Sequence, residues 1–160
     1  MAAEAIRFAT DAALGKLGRS MRAAGFDTLC QHQCRDKDFF ETLEADRVIL
    51  TRTRAVARRF QDRRLIFIRD NDARQQLTQV IRTLELECDC VYYLSRCLEC
   101  NLKIAPVSKN AVKGRIPEYV WQHHHHFQMC RSCKRIYWAG SHHQRMTRQL
   151  ENLFKQKDDS

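Results

Sequence analysis

Two cysteine pairs, Cys97-Leu98-Glu99-Cys100 and Cys130-Arg131-Ser132-Cys133, stand 29 residues apart in the last third of this 160-residue chain. A C-x-x-C turn delivers two sulfurs to one metal, and two such turns complete the four-sulfur shell of a structural zinc ion. A closed shell leaves no position for water, so this metal would stabilise the fold rather than activate a nucleophile. The second chemically capable set is acidic: Asp11, Asp36, Asp38, Asp70 and Asp72. Carboxylates at the ends of parallel strands suit magnesium or manganese, hard cations that prefer oxygen ligands. A cation held there can activate water and neutralise charge while a phosphodiester is cut. Lys16, Arg19, Arg22, Arg52 and Arg54 would then grip the phosphate backbone. The competing role for each aspartate is a helix cap, since all precede helical patterns.

These residues need elements to position them. Ile6 to Thr10 alternates apolar side chains and predicts a strand ending at Asp11. Ala13, Leu14, Leu17 and Met21 recur at helical spacing until Gly25, with Lys16, Arg19 and Arg22 as a basic stripe. Phe26 to Cys30 predicts a second strand and Asp36 to Glu44 an acidic helix. Arg47 to Thr51 predicts a buried strand, Arg52 to Arg59 a basic helix, Leu65 to Ile68 a fourth strand and Ala73 to Leu86 a helix. Strands alternating with helices predict an α/β fold, a mostly parallel sheet flanked by helices, with ligands gathering beyond the carboxyl ends of the strands.

After about residue 90 the chain turns to cysteines, turn residues and its two prolines, Pro106 and Pro117, which divides it into a sheet domain over 1–90 and a small zinc-ribbon domain over 91–160. Residues 102–116 read as irregular, Pro117 as the first turn of a short helix through Trp121, and Arg135 to Trp138 as a strand. Ser141 is the expected N-cap of a last helix whose Met146, Leu150, Leu153 and Phe154 share one face.

Lys and Arg exceed Asp and Glu by nine, which favours a polyanionic partner such as nucleic acid over a merely soluble surface. No run of about 18 apolar residues exists and the first residues lack the pattern of a secretory signal, so a cytoplasmic protein with no membrane span is expected. In a reducing compartment the paired cysteines ligate metal, whereas Cys30, Cys34, Cys88 and Cys90 read as buried or incidental thiols.

At this point two segments resemble a known family. The run from Phe8 through Asp11-Ala12-Ala13-Leu14-Gly15-Lys16-Leu17-Gly18-Arg19 to Thr28 is similar to the opening of the Mut-seven C-terminal RNase family. Arg96-Cys97-Leu98-Glu99-Cys100-Asn101 and Phe127 to His142 resemble its zinc-binding tail. The resemblance spans residues 6 to about 155. It implies a PIN-like nuclease domain followed by a zinc ribbon, acting as a metal-dependent endoribonuclease with acids clustered at the carboxyl edge of the sheet. Asp11 falls on the first acid, Asp36 or Asp38 near the second, and Asp70 or Asp72 near a third. One position departs: the family reads Leu-Thr-Arg-Asp after the third strand, and this chain reads Leu50-Thr51-Arg52-Thr53. A threonine offers a hydroxyl oxygen without charge, so a divalent cation would be held more weakly. The alternative is therefore a catalytically impaired RNA-binding protein of the same fold. A third class, a zinc-dependent protein-interaction adaptor, would leave the aspartates idle.

Three features remain. A helix would spread His123 to His126 around its circumference, so they read as an exposed polar segment rather than one metal site. Of His142 and His143, one is expected to pack beside the knuckles, with contact to RNA as the other reading. Tyr137 and Trp138, beside Arg131, Lys134 and Arg135, are expected in the small core of the ribbon, with stacking on unpaired bases as the other role.

Overall fold

The structure, a computed structural model, describes residues 5–34, 36–87 and 93–156. Four short strands, β1 (Phe8–Thr10), β2 (Thr28–Cys30), β3 (Val48–Thr51) and β4 (Leu65–Phe67), form one sheet in the order β2-β1-β3-β4. Every pairing is parallel. Helix α1 (Gly15–Ala23) connects β1 to β2, α2 (Arg54–Arg59) connects β3 to β4, and α3 (Ala73–Thr83) follows β4. The apolar pattern explains why both sheet faces are covered. Phe8, Val48, Leu50, Ile66 and Ile68 pack with Leu14, Leu17 and Met21 of the first helical segment and Leu77, Val80 and Ile81 of α3. The alternate residues Ala9, Leu29, Ile49 and Leu65 meet Phe39, Phe40, Val56 and Phe60 on the other face. The period of two along each strand thus sends neighbouring residues into different layers.

Gly18 marks the tightest approach of helix to sheet. A Cβ there would lie 2.5 Å from the Cys30 Sγ and 3.2 Å from the Thr10 Oγ1. Only glycine lets α1 sit this close to β1 and β2.

The acidic helix expected over Asp36 to Glu44 does not form. The segment makes turns in which the amides of Glu41 and Thr42 both bond the Asp38 carbonyl. Phe39, Phe40 and Leu43 still reach the core, so burial drives the segment's position without a regular helix. Residues 102–116, read as irregular, contain β5 (Ala105–Val107) and α4 (Lys109–Val112). Strand β5 pairs antiparallel with β6 (Phe127–Met129), which pairs with β7 (Ile136–Trp138). Between them lies α5 (Glu118–His123), and α6 (Ser141–Lys155) closes the chain. Pro117 precedes α5 as its cap residue, and Gly140 rather than Ser141 precedes α6.

The expected division at residue 90 falls within 88–92, outside the described residues, as do Cys88 and Cys90. The apolar core runs across that point. Leu98 of the first knuckle and Leu150, Leu153 and Phe154 of α6 belong to the same buried cluster as Phe8 and Leu50. Each such side chain contributes about 1.5–3 kcal/mol on burial, so the ribbon and the sheet stabilise one another. Cys30 is buried and Cys34 exposed, both as free thiols.

Candidate active edge and metal centre

In a sheet ordered β2-β1-β3-β4 the chain leaves β1 towards one edge and β3 towards the other. The carboxyl ends of β1 and β3 therefore flank the crevice where open α/β sheets hold ligands. Asp11 lies there. It follows β1, is 2 % exposed, and is the one buried acid among the described residues. Its Oδ1 accepts from the Ala13 amide at 3.0 Å, capping the 3₁₀ turn (Ala12–Leu14) that leads into α1. Its Oδ2 accepts from the Thr51 hydroxyl at 2.6 Å, the Arg52 amide at 2.7 Å and the Thr53 hydroxyl at 3.2 Å. These bonds tie β1 to the loop after β3. No lysine or arginine pairs with it among the described residues.

Among the described residues no other aspartate bonds Asp11 directly, and Asp70 is linked to it through Arg52, whose amide donates to Asp11 and whose guanidinium donates to the Asp70 carbonyl. Asp36 accepts from the Asp38 amide, and Asp38 lines a cleft of about 190 Å³ with Gln31, Lys37 and Arg59. Asp70 accepts from the Asp72 amide, and Asp72 caps α3 by accepting from Gln75. Among the described residues, the four cysteines are the only group of three or more His, Cys, Asp or Glu side chains arranged to hold a metal. The aspartates do not add a second group. Residues unmarked in the sequence complete the edge instead. Thr51 anchors Asp11, and Gln31 Oε1 accepts from the Ala12 amide at 2.9 Å. A hydroxyl placed two residues before Thr53 was the available clue to Thr51.

The five basic residues divide by what they already bond. Arg22 is 3 % exposed, and its guanidinium donates to the carbonyls of Thr28, Leu98 and Glu99 and to Gln33. It is a buried staple between α1, β2 and the first knuckle, which removes it from any RNA-facing stripe. Arg52 donates to the Asp70 carbonyl and to Asn71, holding two loops together at the sheet edge. Arg19 is exposed and pairs with Glu99 at 2.5 Å. Lys16 and Arg54 are exposed and carry no ion pair among the described residues. Lys16, Arg19 and Arg74 rim a cavity of about 480 Å³ between α1, α3 and α6.

At the candidate metal centre, the Sγ atoms of Cys97, Cys100, Cys130 and Cys133 all lie within 4.8 Å of one another. Cys97 Sγ and Cys133 Sγ are 3.6 Å apart. A tetrahedral zinc with bonds of about 2.3 Å requires sulfurs about 3.8 Å apart, so the cage fits that ion. Each knuckle folds the same way. The residue after the second cysteine, Asn101 or Lys134, has φ of +65° or +63°, and its amide returns to the carbonyl of the first cysteine. Burial pushes the Cys97 thiol up, but hydrogen bonds from the Tyr137 hydroxyl and nearby amides outweigh it and bring the pKa to about 7. Burial and neighbouring sulfurs push Cys100 up to about 12. Tyr137 donates to the Cys97 sulfur at 3.1 Å and accepts from the Leu98 amide, so its ring serves the knuckle rather than a base. His143 is half-buried, and burial lowers its pKa.

The first knuckle is joined to the edge of the parallel sheet. Asn101 Oδ1 accepts from the Thr28 amide at 2.9 Å, its Nδ2 donates to Asp27 at 2.7 Å, and Asp27 pairs with the buried Arg47 at 2.8 Å. Arg96 donates to the Gly25 and Asn101 carbonyls. The polar groups of edge strand β2 that would otherwise face water are covered in this way.

Fold and site together define a parallel α/β domain with a buried carboxylate at its topological crevice and a four-cysteine ribbon built onto its edge. The sequence model described as the Mut7-C RNAse domain matches residues 6–150, and this chain belongs to that family. No curated protein and no solved structure matches it. No helix among the described residues is long and apolar enough to cross a membrane.

Proposed function

We propose that this chain is a divalent-cation-dependent endoribonuclease in which Asp11 is the principal acid. One observation carries the reading: a buried carboxylate with no cationic partner, placed at the crevice between β1 and β3. Asp11 would hold magnesium or manganese, with the hydroxyls of Thr51 and Thr53 as neutral oxygens beside it. One carboxylate with neutral oxygens and water fits magnesium, which commonly binds through one or two carboxylates. The bound cation would supply charge to the reacting phosphate and a more acidic water. Lys16 and Arg54 would meet RNA phosphates near this edge, and Asp36, Asp38, Asp70 and Asp72 would act through the turns they hold. Residues 1–90 would carry the chemistry and residues 91–160 a structural zinc, in a cytoplasmic protein. The test is cleavage of single-stranded RNA with magnesium or manganese. Cleavage that is lost in Asp11→Asn supports the proposal, and cleavage unchanged in that variant overturns it.

A second reading has its own observation. Thr53, where the family carries an acid, donates its hydroxyl to Asp11 at 3.2 Å and adds no charge. On this reading the chain binds RNA without cutting it, and Thr53→Asp confers cleavage on an otherwise inert protein.

A further inference from the structure

The two halves of the molecule differ sharply in how their cations are used. Every ion pair among the described residues joins residues no later than Glu99. Between Asn101 and Arg135 stand seven Lys and Arg against a single acid, Glu118. That acid accepts from Gln122 and neutralises none of them. The ribbon thus holds positive charge without ion pairs among the described residues, the Lys109 ammonium donating only to the neutral ring nitrogen Nδ1 of His125 at 3.4 Å. Lys109 and Lys113 both place their ammonium groups over the Trp121 ring, 4.8 and 4.9 Å from its centre. Trp121 is itself fixed by donating its indole N–H to the Lys109 carbonyl at 2.9 Å. Arg115 is exposed nearby in sequence and donates to the Lys134 carbonyl of the second knuckle. Two ammonium groups held at one ring repel each other, a cost that the ring offsets in part and that a bound anion would offset further.

The same lobe carries Tyr119, which at 69 % exposure is the exposed large hydrophobic residue of the described chain. Its ring lies 4.2 Å from that of His123, tilted by 31°, one helical turn along α5. His123 Nδ1 is held by the Tyr119 carbonyl. One side of this ring pair is therefore open. Residues 119 and 121 project from different sides of α5, so the ring pair and the lysines are two contact points rather than one pocket.

We infer that the ribbon lobe is a second RNA-binding surface: Lys109, Lys113 and Arg115 take phosphates of a single strand, and Tyr119 stacks on one of its unpaired bases. Unpaired cations with an exposed aromatic platform are the combination by which proteins hold single strands without reading sequence. Charge complementarity selects the occupant, since the surface offers almost no acid and little apolar area beyond one ring. The inference rests on RNA being the substrate of the sheet domain, and it places the ribbon's role in capture rather than in chemistry.

The experiment measures binding of a fluorescein-labelled, unstructured 20-nucleotide RNA to the zinc-loaded full chain carrying Asp11→Asn, between about 50 and 200 mM salt. Removing three phosphate contacts in Lys109→Gln/Lys113→Gln/Arg115→Gln should lower the slope of log affinity against log salt by about 2. Tyr119→Ala should weaken binding roughly 5- to 150-fold, with Tyr119→Phe close to the parent, as expected for one base stack. Zinc content and far-ultraviolet circular dichroism confirm that each variant is folded. A triple variant with the parent's affinity and slope overturns the inference, as does a Tyr119→Ala protein that binds equally well. Loss of polyglutamate binding with RNA binding intact also overturns it, and assigns the lobe to an acidic protein. Cleavage by the natural chain is read separately. Binding without cleavage refutes the nuclease reading and leaves the lobe, whereas cleavage with an indifferent lobe variant refutes the lobe alone.

Discussion

Replacing Asn101 with alanine tests whether the first cysteine knuckle and the parallel sheet form one unit. The change removes two hydrogen bonds, from the Thr28 amide and to the Asp27 carboxylate, and leaves a non-glycine residue at φ of +65°. Thr28 is fully buried, so its orphaned N–H costs about 1–3 kcal/mol. The lost bond to a charged partner costs about 1.5–3 kcal/mol. Alanine is also less at ease than asparagine in the left-handed region, by up to about 1 kcal/mol. Neighbouring losses overlap, so a net destabilisation of about 3–5 kcal/mol is expected rather than the full sum. For a chain of this size that corresponds to a fall in Tm of roughly 10 °C. Urea titration of the zinc-loaded protein, followed by circular dichroism, gives the difference directly. Asn101→Gly should lose the same bonds without the backbone cost and fall about 1 kcal/mol short of the alanine effect. An alanine variant within about 0.5 kcal/mol of the parent would refute the reasoning, because surface changes away from special contacts lie in that range.

Other outcomes follow from the same geometry. Lys134 occupies the matching position of the second knuckle at φ of +63°, and Lys134→Gly should stabilise the protein by about 1 kcal/mol in the same titration. Asp27 is held below its ordinary value: burial works to raise it, and the bonds from Arg47 and Asn101 outweigh that. Its contribution to stability is therefore complete above the unfolded value of 3.8 and is lost as pH falls through the lower folded value. Stability measured from pH 5 downward should drop less steeply in Asp27→Asn. Stripping metal with a chelator should unfold the ribbon and expose the face of α6 that packs on the sheet, seen as a loss of protease resistance that added zinc restores.

The elements that position the site were readable where apolar periodicity was strong. Strands β1, β3 and β4 and helices α1 and α3 carry patterns that only a two-faced parallel sheet satisfies, and their order places Asp11 at the crevice. The cysteine spacing likewise announced its cage, because two C-x-x-C turns bring four sulfurs to one metal-sized space. What was not readable depended on contacts distant in sequence. Phe39, Phe40 and Leu43 have helical spacing, yet burial against Ala9 and Ile49 is satisfied by turns. Arg22 looks like part of a basic stripe, but its partners Leu98 and Glu99 lie more than 70 residues away. Asn101 and Thr51 act through hydrogen bonds to residues distant in sequence, which leave no periodic trace. The aspartates illustrate the limit from the other side. Residue type and placement before helices fit both a cation site and a cap, and Asp72 in fact caps α3.

The account turns on Asp11, and RNA cleavage by three proteins tests it most directly: the natural chain, Asp11→Asn and Thr53→Asp, each zinc-loaded and supplied with magnesium or manganese. The account predicts metal-dependent cleavage by the natural chain, abolition in Asp11→Asn, and faster cleavage in Thr53→Asp, where a second carboxylate joins the cation. Cleavage by Asp11→Asn at the natural rate, or none by the natural chain under any divalent cation, would contradict it.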